Sequence, residues 1–403
     1  MNTTEFKMKP EEAYKSFDRI KNPKFYDQFQ TVGWNPDFEN DIENIQVPDL
    51  KDIYRNSEFD SNLLKIEYLI TRECCLNCAY CTMPTPVMRR PELSKEGKKL
   101  IAHCMKVLKI PFTALYGSEP LMLSIDELGE TIREIETCGT FATIITSGIG
   151  LTQEKLETLN QRYKLQSLTM SCDDLNPKLI ADPATAKKSD RTFKFAPFWQ
   201  KNFVEKGLAR DTQITITVHR KNIEQLEKFT KYWSDLGVYV SIDWLHVWRG
   251  QEGSKVSDDS NAEGYMFKAE DREIVDKALR GVIKLKESGA KIWNSVESLE
   301  MYAQQSPDDY SWRCSPTAFL TVDCDGSVWF CDDYQPRSKG QHLYLWDILT
   351  PENLDKMRKR NIEWMDFKSH TDACSGCRWA THIEAERVIH QKTVDVNHYV
   401  HGK

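Results

Sequence analysis

The stretch TRECCLNCAYC occupies residues 71–81 and follows an apolar run, LLKIEYLI at 64–71, that predicts a buried strand. Cys74, Cys78 and Cys81 are separated by three and then two residues, so three thiols stand on one short loop. Thiolates are the usual ligands of iron–sulfur clusters. Three of them on a cluster of four irons leave one iron without a protein ligand, free to bind a small molecule.

Two other interpretations of these thiols stay open. A structural zinc site needs four ligands in a closed tetrahedron, and the spare thiol of Cys75 is the immediate neighbour of Cys74, so it would point away in most loop conformations. Unligated cysteines are commonly buried as small apolar residues, but they seldom occur at this spacing. The spacing therefore favours a cluster.

Short apolar runs alternate with stretches of helical periodicity from Leu64 to His246. The runs predict six strands, at 64–71, 112–116, 141–146, 167–172, 212–219 and 238–246. Apolar residues at three-and-four spacing predict crossover helices at 95–108, 125–136, 153–161 and 222–236. Because repeated β–α units build a parallel sheet, the predicted fold class is α/β, a partial (β/α)6 TIM-like barrel with a small C-terminal α+β domain.

Changes of composition predict how the chain divides. A polar, glycine-containing stretch at 250–266 is too long for an ordinary connection, and a helix from about Lys268 to Ser288 follows it and could close the barrel. The predicted units are an N-terminal extension at 1–60, the barrel core at 61–250, a junction with the closing helix at 251–300, and the C-terminal domain at 301–403.

Four more cysteines lie in the C-terminal domain. The run AFLTVDCDGSVWFC at 318–331 predicts a hairpin around Asp325-Gly326, residue types that accept the positive φ angles of a tight turn, and this hairpin turns Cys331 back toward Cys314. Cys377 begins a predicted helix, where free amides favour a thiolate. The spacing of Cys314, Cys331, Cys374 and Cys377 leaves two possibilities open, a zinc ribbon and an iron–sulfur cluster.

Three motifs in order resemble those of the radical SAM superfamily. The residues CCLNCAYC at 74–81 are similar to its C-x3-C-x2-C signature, including the aromatic residue, Tyr80, before the last cysteine. YGSEP at 116–120 resembles the family's Gly-Gly-Glu-Pro motif, and TSG at 146–148 resembles the Thr-Asn-Gly that often ends the third strand. Each motif alone is weak evidence; at successive strand ends they identify the chain as a member of the superfamily.

The resemblance implies a catalytic 4Fe–4S cluster on the first three cysteines. Its open iron would bind S-adenosylmethionine (SAM), which is cleaved to a 5′-deoxyadenosyl radical that abstracts a substrate hydrogen atom. In this family the Glu119 carboxylate and the backbone of its motif would hold the SAM amino group. The residues expected around the cofactor are Tyr80, Gly117, Ser118, Glu119, Pro120, Ser147, Ser171, Asp173, His219 and Arg220.

Several of these positions are expectations from place alone. Ser171 or Asp173 would face the ribose, and His219 or Arg220 the SAM carboxylate; alternatively, these four merely cap strand ends. Ser118 departs from the motif's second glycine and would be strained if that position required positive φ.

The cysteines outside the two ligand sets have simpler interpretations. Cys172 and Cys324 are candidate hydrogen-atom donors if they face the active space, and core packing is the alternative for both. Cys104 and Cys138 lie on or beside crossover helices and are interpreted as small core residues.

The C-terminal cysteines resemble the twitch appendage of radical SAM proteins, a shortened SPASM domain, which implies an auxiliary 4Fe–4S cluster and an α+β iron–sulfur domain. By analogy with peptide maturases, the expected substrate is a ribosomally synthesised peptide. The alternative is dehydrogenation or epimerisation of a small polar substrate such as an aminocyclitol. Expected partners are a reductant such as flavodoxin or ferredoxin and, because residues 1–60 are strand-poor, a separate leader-peptide recognition protein.

The overall charge and hydropathy exclude other classes of function. A formal net charge of −7 gives no broad cationic surface to neutralise a nucleic-acid backbone. No stretch approaches the ~20 apolar residues of a membrane span, and the N-terminus lacks a signal-peptide core, so a cytoplasmic protein that does not enter the membrane is expected. A zinc-stabilised, non-catalytic interaction protein is the remaining alternative, which metal analysis would distinguish.

Overall fold

A parallel sheet forms the centre of the molecule. The computed structural model describes residues 48, 50–76, 78, 80–81, 92–176, 183–245, 264–304, 319–329, 343–369, 380 and 383–384. Six strands pair with their neighbours in chain order, each pair parallel. They are β1 (Lys65–Thr71), β2 (Phe112–Gly117), β3 (Phe141–Thr146), β4 (Ser167–Ser171), β5 (Asp211–Val218) and β6 (Tyr239–Trp244). The predicted α/β barrel is confirmed.

Nine helices are described, most of which connect successive strands of the sheet. They are α1 (Leu50–Tyr54), α2 (Lys95–Val107), α3 (Ile125–Thr137), α4 (Gln153–Gln161), α5 (Pro183–Trp199), α6 (Leu226–Asp235), α7 (Arg272–Glu287), α8 (Val296–Gln304) and α9 (Pro351–Ser369). Ser94, Ser124 and Thr152 cap α2, α3 and α4, and each side chain accepts a backbone N–H hydrogen bond at 3.1–3.2 Å. These caps satisfy amides that a helix start leaves free. Among the described residues, no helix combines the length and apolar character of a membrane span.

Helix α5 has no counterpart in the sequence prediction. It begins at Pro183, a residue well suited to a first helical position, but it also contains Pro197 near its end. An internal proline removes a helical N–H and clashes with the preceding turn, so the sequence looks like a break. The chain accommodates it by passing directly into a π-helical turn at Gln200–Val204.

The predicted hairpin extends the barrel sheet. Strand β7 (Phe319–Val322) pairs in parallel with β1, and β8 (Val328–Trp329) pairs antiparallel with β7, giving the order β6-β5-β4-β3-β2-β1-β7-β8. Gly326 in the turn has φ +86°, as the turn prediction requires. Arg72, at the end of β1, reaches the same turn, where its Nε donates to Asp323 Oδ1 at 3.0 Å and its Nη2 contacts Oδ2. The proposed domain limits remain predictions.

Strand β5 shows how the barrel interior differs from its outside. Its even-numbered residues, Thr212 to Val218, are buried, whereas the odd-numbered residues, Asp211 to Thr217, are half-buried and face the lumen. In an ordinary TIM barrel the lumen is filled by bulky branched side chains. Here many lumen positions carry small or polar residues, including Ala114, Thr143 and Ser241, so space remains inside.

Candidate active site

A cavity of about 320 Å³ runs along the barrel lumen and reaches the carboxyl ends of the strands. Cys74, Cys78 and Cys81 all line it. Cys74 Sγ accepts the N–H of Leu76 at 3.3 Å, and burial raises the pKa of its thiol to about 12. A metal would therefore have to displace this proton on binding.

The donor set fits a cluster better than a single ion. Among the described residues, the group of three possible ligands whose atoms lie within 4.8 Å of one another is His103, Glu134 and Cys138, and it contains none of the cysteines that line the cavity. Those three thiols are therefore spread more widely than the ligands of one zinc ion. A four-iron cluster spans such a separation because each thiol binds a different iron.

The two short motifs after β2 and β3 meet at Glu119. Its buried carboxylate accepts hydrogen bonds from Leu121 N at 3.1 Å, Thr146 Oγ1 at 2.5 Å, Ser147 N at 2.8 Å and Ser147 Oγ. A carboxylate offers about four lone-pair positions, so all are used. An ammonium ligand would have to displace one of these donors.

Gly117 and Ser118 shape the rim above Glu119. Gly117 has φ +141°, and a Cβ there would lie 2.3 Å from the carbonyl oxygen of Thr71. Ser118 is not among the residues with positive φ, so the strain expected at Ser118 is wrong: the glycine before it makes the turn. The Ser118 hydroxyl is buried, lines the cavity and has no hydrogen-bond partner in the described structure. A bound ligand would supply that partner.

Tyr80 joins a buried charged group that the sequence analysis only partly anticipated. Lys188 Nζ, on α5, lies 2.5 Å from Asp173 Oδ2 and 2.9 Å from Tyr80 Oη, and the Tyr80 hydroxyl also contacts Asp173. Burial favours the neutral form of Asp173, but the ammonium outweighs it and lowers the pKa of this carboxyl. Lys188 was missed because its helix was missed; a lone lysine carries no other sequence signal.

Of the remaining predicted cofactor residues, the structure brings only some to the cavity. Ser147 and Ser171 line it, whereas Pro120 begins a buried 3-10 turn behind Glu119. His219 packs against the Tyr80 ring at 5.5 Å, and burial lowers its pKa to about 4, so it is neutral near pH 7.

Arg220 and the two spare thiols lie outside this cavity lining. The guanidinium of Arg220 pairs with Glu270 at 2.7 Å and Asp271 at 3.0 Å, so the geometry does not support a contact with the cofactor. Cys172 is buried in the hydrophobic core, and Cys324 is buried in the β7–β8 turn. Neither sulfur lines the cavity, which agrees with the alternative of core packing for both and gives no support to a hydrogen-donor role. The predicted auxiliary ligands Cys314, Cys331, Cys374 and Cys377 lie outside the described residues.

Two curated proteins are similar to this chain in sequence. The chain is 28% identical over 169 residues to a PqqA peptide cyclase of Streptomyces rochei and 24% identical over 164 residues to one of Rhizobium meliloti (strain 1021). These matches cover 42% and 40% of the chain and 44% and 40% of the relatives. These relatives support the resemblance of the chain to the radical SAM superfamily. No protein-family model matches it.

The fold of the chain is similar to that of solved structures. SuiB of Streptococcus suis bound to S-adenosylmethionine aligns with a TM-score of 0.55 at 13% identity, covering 85% of this chain and 78% of SuiB. The same protein bound to its precursor peptide SuiA aligns with a TM-score of 0.53. At this identity the likeness concerns the fold. The matched part of this chain spans less than half the length of the curated relatives.

Proposed function

We propose that the chain is a radical SAM enzyme that modifies a ribosomally synthesised peptide. The observation that carries the proposal is that Cys74, Cys78 and Cys81 line one cavity together with the unpartnered Ser118 hydroxyl, at the carboxyl ends of the strands. A 4Fe–4S cluster held by these three thiols would supply the electron that cleaves SAM reductively.

The chain's own residues bind and orient the cofactor in this proposal. Gly117 permits close approach of the backbone, and the Ser118 hydroxyl donates to a polar group of SAM. Glu119 holds the SAM amino group after Ser147 Oγ turns away from it. Asp173 and Lys188 fix the Tyr80 ring beside the cavity, which keeps the cysteine loop in place.

A peptide substrate is supported by the sequence relatives, which are named as peptide cyclases, and by the fold shared with a protein solved with its precursor peptide. The cavity, at about 320 Å³, is at the small end for a ligand site. Because SAM would fill most of this space, the bulk of a peptide substrate would lie outside the barrel.

The C-terminal cysteines 314, 331, 374 and 377 would hold a second, auxiliary 4Fe–4S cluster. Four protein ligands close such a cluster to substrate, so its role would be to take an electron from the substrate radical, giving a net oxidation. A flavodoxin or ferredoxin would reduce the first cluster, and a separate protein would deliver the leader peptide.

Metal and product analysis test the proposal. Anaerobically reconstituted protein should hold about eight irons, and the Cys74→Ala, Cys78→Ala, Cys81→Ala triple variant about four. Reduced wild-type protein should form 5′-deoxyadenosine from SAM, and the triple variant should not. Cys75→Ala is the control, since Cys75 is exposed and does not line the cavity, and it should keep the wild-type iron content. Two tightly bound zinc ions in place of iron would refute the proposal.

The substrate class needs its own measurement. Short peptides encoded beside the gene, incubated with the reduced protein and SAM, should change in mass in step with 5′-deoxyadenosine formation. If SAM is cleaved but no such peptide changes, the chemistry stands and the peptide assignment fails.

A further inference from the structure

On the outer face of the barrel, away from the lumen cavity, polar side chains from three helices meet around His103. His103 lies on α2, Glu134 on α3, Cys138 at the C-cap of α3, and Tyr54 at the end of α1. His103 Nε2 lies 3.0 Å from Glu134 Oε1, its Nδ1 lies 3.5 Å from Cys138 Sγ, and the Tyr54 hydroxyl contacts Nδ1. None of these residues lines the cavity.

We propose that His103, Glu134 and Cys138 form a binding site for a zinc ion. Their ligand atoms lie within 4.8 Å of one another. Zinc bonds of about 2.0–2.3 Å in a tetrahedron place ligand atoms about 3.3–3.8 Å apart. The His103 ring faces Glu134 with Nε2 and Cys138 with Nδ1, so it would have to turn to present one nitrogen to an ion that both other ligands hold. One nitrogen, one oxygen and one sulfur suit zinc, a borderline-soft ion, better than calcium or magnesium, which prefer oxygen alone. Water would complete the tetrahedron.

Zinc binding would change the ionisation of this cluster. Burial keeps His103 neutral by lowering its pKa, and a neutral imidazole is the form that binds metal. Burial and the Glu134 charge raise the pKa of the Cys138 thiol to about 11. Burial, followed by the charges of Cys138 and Glu134, raises the pKa of the Tyr54 hydroxyl. Zinc would displace the thiol proton to solvent. The positive charge of the Lys106 ammonium would repel the zinc ion.

A zinc ion at this site would hold two helices together. It would join α2 to the end of α3, and α1 contacts the site through the Tyr54 hydroxyl on His103. Cys104, the other cysteine of this region, is wholly buried in the core, as predicted. Cys138 is only half-buried and Tyr54 is half exposed, so zinc can enter from solvent. Cys138 therefore serves more than core packing in this proposal.

The test uses the anaerobically reconstituted protein with its clusters in place. After titration with zinc chloride and removal of loose metal, about one zinc should remain, and zinc-edge X-ray absorption should show one sulfur neighbour at about 2.3 Å with nitrogen or oxygen neighbours. Cys138→Ser and His103→Gln should each weaken zinc binding at least tenfold and abolish the rise in Tm that zinc causes. Glu130→Gln, one turn earlier on α3, is the matched control and should bind as the wild type does.

Three results would overturn the proposal. One is that the protein retains no zinc. Another is that Cys138→Ser binds zinc as tightly as the wild type. The third is a spectrum with three or four sulfur neighbours, which would place the ion on cluster cysteines instead. None of these outcomes bears on the proposed SAM chemistry, which the iron and 5′-deoxyadenosine measurements decide separately.

Discussion

Replacing Lys188 with Met tests the buried group beside the cysteine loop. The change keeps most of the aliphatic side chain but removes the ammonium that lies 2.5 Å from Asp173. Both side chains are nearly inaccessible to water, at 7% and 1% exposure. The Asp173 carboxylate would then be buried without a cation, and its remaining contacts, to Tyr80 Oη and the Thr217 N–H, do not neutralise it.

The expected loss follows from that burial. Removing one partner of a buried ion pair costs about 3–5 kcal/mol. Unfolding entropy is about 2.1 cal/mol/K per residue, so for 403 residues one kcal/mol corresponds to a shift in Tm of about 1.2 °C. Lys188→Met should therefore lower Tm by about 4–6 °C, measured by calorimetry on the reconstituted protein without oxygen.

The penalty should also depend on pH. In the wild type the pKa of Asp173 is lowered, so its stabilisation is present above the unfolded value of about 3.9 and is lost only as pH falls through the folded value. Without Lys188, burial raises that pKa above about 3.9, and the sign reverses: stability is lost as pH rises through the new folded value. The Tm difference between the wild type and the variant should therefore grow as the pH rises above about 3.9.

The exposed pair Lys231–Asp235 provides the control. It has a similar separation, 2.7 Å, but both side chains are 61% exposed, so Lys231→Met should cost no more than about 0.5 kcal/mol. Adding Asp173→Asn to Lys188→Met should recover much of the lost stability, because the buried charge is gone. If Lys188→Met and Lys231→Met have equal Tm values at every pH, the reasoning about the buried pair is wrong.

Two further predictions concern the rim of the cavity. Gly117→Ala should lower the free energy of unfolding, measured in denaturant, by at least about 2 kcal/mol, because the added Cβ would lie 2.3 Å from the Thr71 carbonyl oxygen. Gly289 also has positive φ but has open space around it, so Gly289→Ala should lose less stability. Equal losses in the two variants would contradict the clash. Ser118→Ala should leave the stability unchanged or raise it, since the hydroxyl is buried and unpaired. The same variant should bind SAM about 2–10-fold more weakly in equilibrium dialysis. An unchanged affinity would show that this hydroxyl does not bind SAM.

Much of the barrel could be predicted because its strands and helices carry distinct periods. The bounds of β3 and α4 agree with the sequence prediction, since an apolar run and a Thr152 cap mark their ends. Strand β7 was predicted, but its place beside β1 was not, because pairing across about 250 residues leaves no local sequence signal. Helix α5 was hidden by Pro197.

The site could be predicted in its motifs but not in its contacts. The close spacing of Cys74, Cys78 and Cys81 predicts that they share one site, and all three line one cavity. Glu119 and Ser147 follow successive strands, and they are hydrogen-bonded to each other. The position of Arg220 could not be predicted, because a residue just beyond a strand can turn either into the lumen or away from it. Its guanidinium pairs with Glu270 and Asp271, which a distant segment of the chain supplies.

The place of β7 in the sheet has a consequence for how the protein is made. Arg72, two residues before the cysteine loop, is held by Asp323, which lies 251 positions later in the chain. At about 5–20 residues per second, a ribosome needs about 13–50 s to supply that partner. Until then β1 presents an unpaired edge, the kind of surface that joins other chains, and the loop that it leads into lacks its anchor. Slow, cool expression should therefore raise the soluble yield, and chains ending before Phe319 should aggregate even though β1 to β6 are complete.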